Sequence, residues 1–255
     1  MAQKPCLYFS ESTDCFEFKP SSDTLFLENS FPVEELRKFM ETNRTIQLTS
    51  FGPTGLVIID YLSKLGILHL LPVVFIDTLY HFQETYDLIQ EVKKNYPEMK
   101  LHIYKPKGCE TVQDFEKKFG AELWNKQPSK FAYYSKVEPR NRAMVELGAT
   151  AYINGRRKSQ GSQRALLEFA DFDDELQITR VQPLYDWTFE QVWSHIRVNR
   201  LAYNKLHDKG YKSVGDYMTT SPVSVEEDER SGRWKGKSQT ECGLHVSSKY
   251  LETIV

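Results

Sequence analysis

The strongest constraint on how this chain folds is an alternation. From Thr45 to about Val181, short apolar runs rich in β-branched and aromatic residues alternate with stretches of helical spacing. That is the pattern of strands joined by helical crossovers in a parallel sheet. Thr45–Leu48, Val73–Ile76, Leu101–Tyr104, Ala151–Asn154 and Gln177–Val181 read as strands, each bounded by polar, Gly or Pro residues. Thr54–Leu65 reads as a nearly all-apolar buried helix, and Phe82–Asn95 as an amphipathic helix ended before Pro97. Pro139–Leu147 carries proline in its first turn, and Pro32–Met40 and Thr188–Val198 read as further helices. The expected fold is α/β, a mostly parallel sheet with helices on both faces. From Gly210 the chain turns to Gly, Ser, charge and aromatics with little periodicity, which reads as loop and tail. The expected organisation is one structural domain: a helical extension over 1–44, an α/β unit over 45–225, and a flexible tail over 226–255.

With 255 residues and 40% apolar content, the chain is long enough for one well-cored domain. Lys and Arg number 33 against 35 Asp and Glu, a net charge of −2. The molecule as a whole therefore has no attraction for nucleic acid or an anionic membrane, and any anion site must be local. Cys6, Cys15, Cys109 and Cys242 form no Cys-x-x-Cys pair and no His/Cys cluster at zinc spacing. This argues against a structural metal and a disulfide framework, and for a reducing compartment. No apolar run approaches the roughly 20 residues needed to cross a bilayer. Met1–Ser10 lacks the features of a secretion signal. A cytoplasmic location is the expectation.

Four segments carry candidate chemistry. Thr49-Ser50-Phe51-Gly52-Pro53-Thr54-Gly55 follows a strand and opens a helix. It suits a bound anion, through exposed amides and small residues, or it is an ordinary turn shaped by Gly and Pro. It is not a Walker loop, since no Gly-Lys-Ser/Thr follows. Asp77 and Thr78 emerge at the carboxyl end of the next strand, where ligands of open α/β sheets bind; alone, Asp77 reads better as a cap. Basic residues gather at Lys136, in Gly155-Arg156-Arg157-Lys158-Ser159-Gln160-Gly161-Ser162-Gln163-Arg164, and at Arg230, Arg233, Lys235 and Lys237. Converging arginines select a ligand with several anionic groups, whereas a solvated charged face is the competing reading for any single lysine. Cys242, in Glu241-Cys242-Gly243-Leu244-His245, follows a basic run in a polar, Gly-rich stretch. Nearby positive charge favours the thiolate, so Cys242 is the candidate nucleophile. His245 either assists it or is a surface residue.

Taken in order, Ser50-Phe51-Gly52, Phe75-Ile76-Asp77-Thr78, Lys136-Val137-Glu138-Pro139, Gly155 to Gln160, Pro183-Leu184-Tyr185-Asp186-Trp187, Gly210 to Gly215, Gly232-Arg233-Trp234 and Glu241 to His245 resemble the phosphoadenylyl-sulfate reductase family. This is a branch of the adenine-nucleotide α-hydrolase-like proteins, and the likeness is greatest to its fungal members. The resemblance implies attack of Cys242 on the sulfur of 3′-phosphoadenylyl sulfate (PAPS), an S-sulfocysteine, and release of adenosine 3′,5′-bisphosphate. Thioredoxin then displaces sulfite, in assimilatory sulfate reduction. The resemblance also implies a homodimer. It puts Ser50, Phe51 and Gly52 on the nucleotide, Gly155 near the adenosine, Arg157 in the substrate site and Arg164 on a phosphate. Lys136, Arg230 and Arg233 fall beside the anionic leaving group, and His245 beside Cys242.

Two departures sharpen this. Relatives that carry an iron–sulfur cluster have a Cys-Cys pair before the Lys-Val-Glu-Pro stretch and a Cys-x-x-Cys pair after the Ser-Val-Gly stretch. Here those positions are Phe131, Ala132, Asp216 and Thr219, so no bound cofactor is implied, and the 3′-phosphorylated nucleotide is the expected substrate. ATP-cleaving relatives carry a Ser-Gly-Gly-x-Asp-Ser loop that this chain lacks. The rival expectation is a nucleotide-binding redox sensor without turnover.

Overall fold

The computed structural model describes residues 31–234, and Cys6, Cys15, Cys242 and His245 lie outside them. Six strands form one sheet: β1 (Thr45–Leu48), β2 (Pro72–Ile76), β3 (Lys100–Tyr104), β4 (Ala151–Ile153), β5 (Ala170–Asp173) and β6 (Ile178–Val181). Their order is β3-β2-β1-β4-β6-β5, parallel except for the antiparallel β5–β6 pair. Gln47 on β1 is opposite Val73 of β2 on one side and Ile153 of β4 on the other. The chain runs outward from β1 through β2 to β3, then returns to β4 on the far side of β1. That reversal opens a crevice at the carboxyl ends of β1 and β4, where ligands of such sheets bind.

Strand residues point alternately to the two faces. Val73 and Phe75 join one core with α1 (Val33–Thr42), α2 (Pro53–Lys64), α3 (Gln83–Asn95) and α8 (Phe189–Val198). Val74 and Ile76 join another with Ala143 and Met144 of α7 (Glu138–Glu146). Helices thus cover both faces, as expected from the alternation. Val57, Ile58, Ile59 and Leu62 of α2 are fully buried, each worth roughly 1.5–3 kcal/mol. Inside this apolar layer, His195 of α8 donates from Nε2 to Asp60 of α2 at 2.7 Å, and Lys64 lies 2.8 Å from the same carboxylate. Phe31 stacks on Tyr61 with ring centroids 4.2 Å apart, which docks the start of the described chain on α2.

The structure adds elements beyond those expected from the sequence. Strand β5 is one. The others fill 112–137: α4 (Val112–Phe119), α5 (Leu123–Lys126), α6 (Pro128–Ala132) and a π-helical turn over Tyr133–Val137. The π turn precedes Pro139, which has no N–H to give and crowds the carbonyl four residues back. Glu138 bonds back to the Tyr133 carbonyl instead. From Gly210 the path is irregular but packed: Val223 N–H donates to Gly210 O at 3.0 Å, Trp234 N–H to Thr219 O at 2.8 Å, and Thr220 bridges Arg233. Glu226, where the tail was expected to start, is exposed, whereas Trp234 is buried. No helix among the described residues is long and apolar enough to cross a membrane.

Candidate active site

The carboxyl end of β1 runs into a tight turn. Phe51 adopts a positive φ of 56° and puts its ring into the core, edge-on to Phe75 at 5.8 Å. The Thr49 hydroxyl accepts the Phe51 N–H at 3.0 Å. Gly52 caps α2 without a side-chain hydrogen bond, and Pro53 follows in the first turn. The amides of Thr54 and Gly55 thus begin a 12-residue helix whose positive dipole end faces the crevice. Gln47 of β1 holds the Gly55 carbonyl at 3.1 Å. A Cβ on Gly55 would collide with the Thr49 hydroxyl, and one on Gly155 would lie 3.1 Å from both Gly55 N and Thr54 Cβ. The chain leaving β4 can approach the helix start this closely only without a side chain at 155.

A cavity of about 220 Å³ opens above this turn. Ser50, Gly52, Lys136, Gly155, Arg164, Arg230 and Arg233, drawn from four separate stretches of sequence, line it together. Arg156, Lys212, Thr78, His81, Asp216 and Glu229 also line it. Six cationic side chains against two carboxylates give it a local excess of positive charge, although the whole chain is slightly negative.

The cations are held by different means. Lys136, on the π turn, lies 2.5 Å from Asp216 with both side chains buried. Asp216 also accepts the Thr78 hydroxyl at 2.6 Å. Burial alone would raise the Asp216 pKa, but Lys136, His81 and these hydrogen bonds bring it down to about 2. His81 sits beside them with Nε2 3.1 Å from the Ile76 carbonyl, and burial pushes its imidazole below the usual range. Arg233 donates to the Val214 carbonyl at 2.9 Å and lies flat against Gly215, where any Cβ would overlap the guanidinium. Arg233 Nε, and Nε and Nη1 of Arg156, are buried and have no hydrogen-bond partner among the described residues. Burial, together with Arg180 and Arg164, lowers the Arg156 pKa, so a bound anion would satisfy both its charge and its idle donors.

Two expected site residues lie elsewhere. Phe51 is core, as its ring packing shows. Arg157 is 1% exposed and runs beneath the cavity, donating to Thr54 Oγ1 at 2.9 Å, Glu229 at 2.6 Å and the Trp187 carbonyl at 3.3 Å. Its neighbour Arg156 faces the cavity instead, because successive side chains leaving a strand point opposite ways. Asp77 braces a turn, accepting the Leu79 N–H at 2.9 Å and the Tyr86 hydroxyl at 2.7 Å. It caps no helix, since α3 begins after Phe82. Cys242 and His245 lie outside the described residues.

The cluster of the iron–sulfur relatives finds no ligands here. Phe131 and Ala132 are buried apolar groups, Asp216 is committed to Lys136 and Thr78, and Thr219 is a buried hydroxyl, so none supplies a thiolate. Among the described residues, no group of three or more His, Cys, Asp and Glu side chains is placed to hold a metal ion.

Residues 44–222 match the phosphoadenosine phosphosulfate reductase domain family. The chain is 50% identical over 212 residues to phosphoadenosine phosphosulfate reductase of Saccharomyces cerevisiae, covering 82% of this chain and 81% of that one. It is 43% identical to adenosine 5′-phosphosulfate reductase of Oceanobacillus iheyensis, covering 78% and 80% of the two chains. The crystal structure of phosphoadenylyl-sulfate reductase from Candida auris, a phosphate complex, superposes with a TM-score of 0.66 at 42% identity, covering 74% of this chain and 89% of that one. Fold, matched residues and relatives agree: the chain belongs to the phosphoadenosine phosphosulfate reductase family and is an oxidoreductase.

Proposed function

We propose that this chain reduces PAPS to sulfite and adenosine 3′,5′-bisphosphate, with thioredoxin as the electron donor. One observation carries the reading: the start of α2, Lys136, Arg156, Arg164, Arg230 and Arg233 converge on a single cavity at the sheet's carboxyl edge. Such a site suits a ligand with several anionic groups joined to a nucleoside. Ser50, Gly52, Gly155 and Arg164 all line that cavity; in this reading Ser50 and Gly52 contact the nucleotide, Gly155 the adenosine and Arg164 a phosphate.

The Cys242 thiolate attacks the sulfonate sulfur. The bond from sulfur to the bridging oxygen breaks, and its electron pair leaves on the phosphate of adenosine 3′,5′-bisphosphate. Lys136, Arg230 and Arg233 stabilise the negative charge that gathers there. A thioredoxin thiolate then attacks the Sγ of the S-sulfocysteine, and the bond from Sγ to the sulfonate sulfur breaks with its electrons on sulfite. The second thioredoxin thiol resolves the mixed disulfide and returns Cys242 as a thiol. The two electrons come from the thioredoxin dithiol. His245 assists the thiolate, residues 226–255 act as the tail that presents it, and the protein works as a cytoplasmic homodimer.

Relatives named for either nucleotide are similar to this chain. The lack of cluster thiolates at Phe131, Ala132, Asp216 and Thr219 favours the 3′-phosphorylated one. Sulfite release with reduced thioredoxin tests the reading. Turnover is expected with PAPS in preference to adenylyl sulfate, and Cys242→Ser is expected to lose it while still binding adenosine 3′,5′-bisphosphate. Turnover persisting in Cys242→Ser removes the nucleophile. Binding without turnover in the wild type favours the sensor.

A further inference from the structure

We infer that Asp216 is a positioning residue for this reaction, acting through Lys136; the inference rests on the function proposed above. Lys136 is the one cation of the cavity that comes from the π turn, and lysine is a flexible stem with three rotatable donors. Left to itself it would not favour one direction. Asp216 holds its Nζ at 2.5 Å, which leaves the remaining donors for a ligand.

Asp216 is itself fixed from several sides. The Thr78 hydroxyl donates to its other carboxylate oxygen at 2.6 Å. Its backbone bridges His81, and the next residue, Tyr217, donates its N–H to Tyr80 O at 2.9 Å. The Thr220 hydroxyl bonds the Asp216 carbonyl at 2.9 Å. The pair is therefore anchored to the carboxyl end of β2 through Thr78, to the π turn through Lys136, and to the segment that carries Arg233 through the Thr220–Arg233 bridge.

Packing alone does not account for it. A buried ion pair gives back much of its attraction in lost hydration, and apolar groups of the same size hold such a place as well or better. Both members line the cavity. A charge aimed in advance needs no reorganisation as negative charge moves onto the leaving oxygen. Lys136 acts on the reacting atoms, and Asp216 keeps it there.

A double-mutant cycle on sulfite formation tests this. Asp216→Asn is expected to lower kcat by about tenfold or more with a smaller change in KM, as misplaced catalytic groups do. Asp216→Glu is expected to recover part of the loss. In a Lys136→Met background, Asp216→Asn is expected to cost nothing further, because its effect runs through the lysine. Losses that multiply across the two sites, or unchanged kcat in a folded Asp216→Asn variant, overturn the assignment. Should Asp216→Asn not fold, Thr78→Val removes the anchoring hydroxyl, which otherwise also accepts the Tyr80 N–H at 3.3 Å, and is read in the same cycle, where multiplying losses overturn the assignment equally. Failure of the functional reading is distinct: the wild type then forms no sulfite before any variant is made.

Discussion

Arg156 and Arg157 are adjacent and do opposite work. Arg157 ties the first turn of α2 to the part-buried Glu229 and to the Trp187 carbonyl from a fully buried position, so its loss removes the charged donor from both, leaving Glu229 to Gln160 and the carbonyl to Ser159. Losing such charge-assisted hydrogen bonds costs about 2–3 kcal/mol, which for a chain of this size is a fall in Tm of about 5–10 °C. Arg156 has idle donors and faces the cavity. Arg156→Ala is expected to keep Tm nearly unchanged and weaken binding of adenosine 3′,5′-bisphosphate about tenfold, the scale of one lost charge-assisted contact. Differential scanning fluorimetry and titration calorimetry on the two variants check this; equal losses of Tm contradict it. The basic segment was legible in the sequence, but the choice between these arginines was not. It depends on side-chain direction as the chain leaves β4, just as the positive φ at Phe51 turns into the core the ring of a residue that the family resemblance put on the nucleotide.

At the scale of elements, α8 illustrates what local sequence decides. The Thr188 hydroxyl accepts the Gln191 N–H at 3.2 Å, and Gln191 Oε1 accepts the Thr188 N–H at 2.7 Å, a reciprocal cap. Thr188→Ala is expected to cost about 1 kcal/mol, or about 2–4 °C in Tm, with nucleotide affinity unchanged; a thermal melt that does not move contradicts the cap's role. Five strands were legible because each is an apolar run between breakers. Strand β5 was not: Ala170–Asp173 alternates acid with Ala and Phe, pairs only with β6 at the sheet edge, and leaves Phe172 half exposed. Helix α4 does carry a helical pattern, with Val112, Phe115 and Phe119 at i, i+3 and i+7 on one packed face, but over only eight residues set among charged ones. The π turn that aims Lys136 answers to Pro139 and has no periodicity of its own.

Across the whole molecule, stability is expected to fall in two steps as pH drops. Burial holds His81 and His207 below the ordinary 6.5, partly opposed by nearby carboxylates and by the Ile76 and Tyr211 carbonyls. The unfolded chain therefore takes up these protons first, and the stability present above pH 6.5 declines below it. Asp216 titrates at about 2 when folded against 3.8 otherwise, so its contribution is intact above pH 3.8 and is lost as pH falls toward 2. Urea unfolding across pH is expected to show the first step reduced in His207→Gln and the second flattened in Asp216→Asn; one decline untouched by either contradicts this. The fold class and the gathering of basic residues were readable from order and alternation along the chain. The Lys136–Asp216 pair, 80 residues apart in sequence, emerges only when π turn and C-terminal segment meet. The proposed chemistry is a covalent cycle on Cys242, which intact mass spectrometry reads as a change in protein mass. After mixing with PAPS, the protein is predicted to gain one sulfonate that maps to Cys242 and disappears on adding reduced thioredoxin; a protein that binds the nucleotide yet gains no mass contradicts the claim.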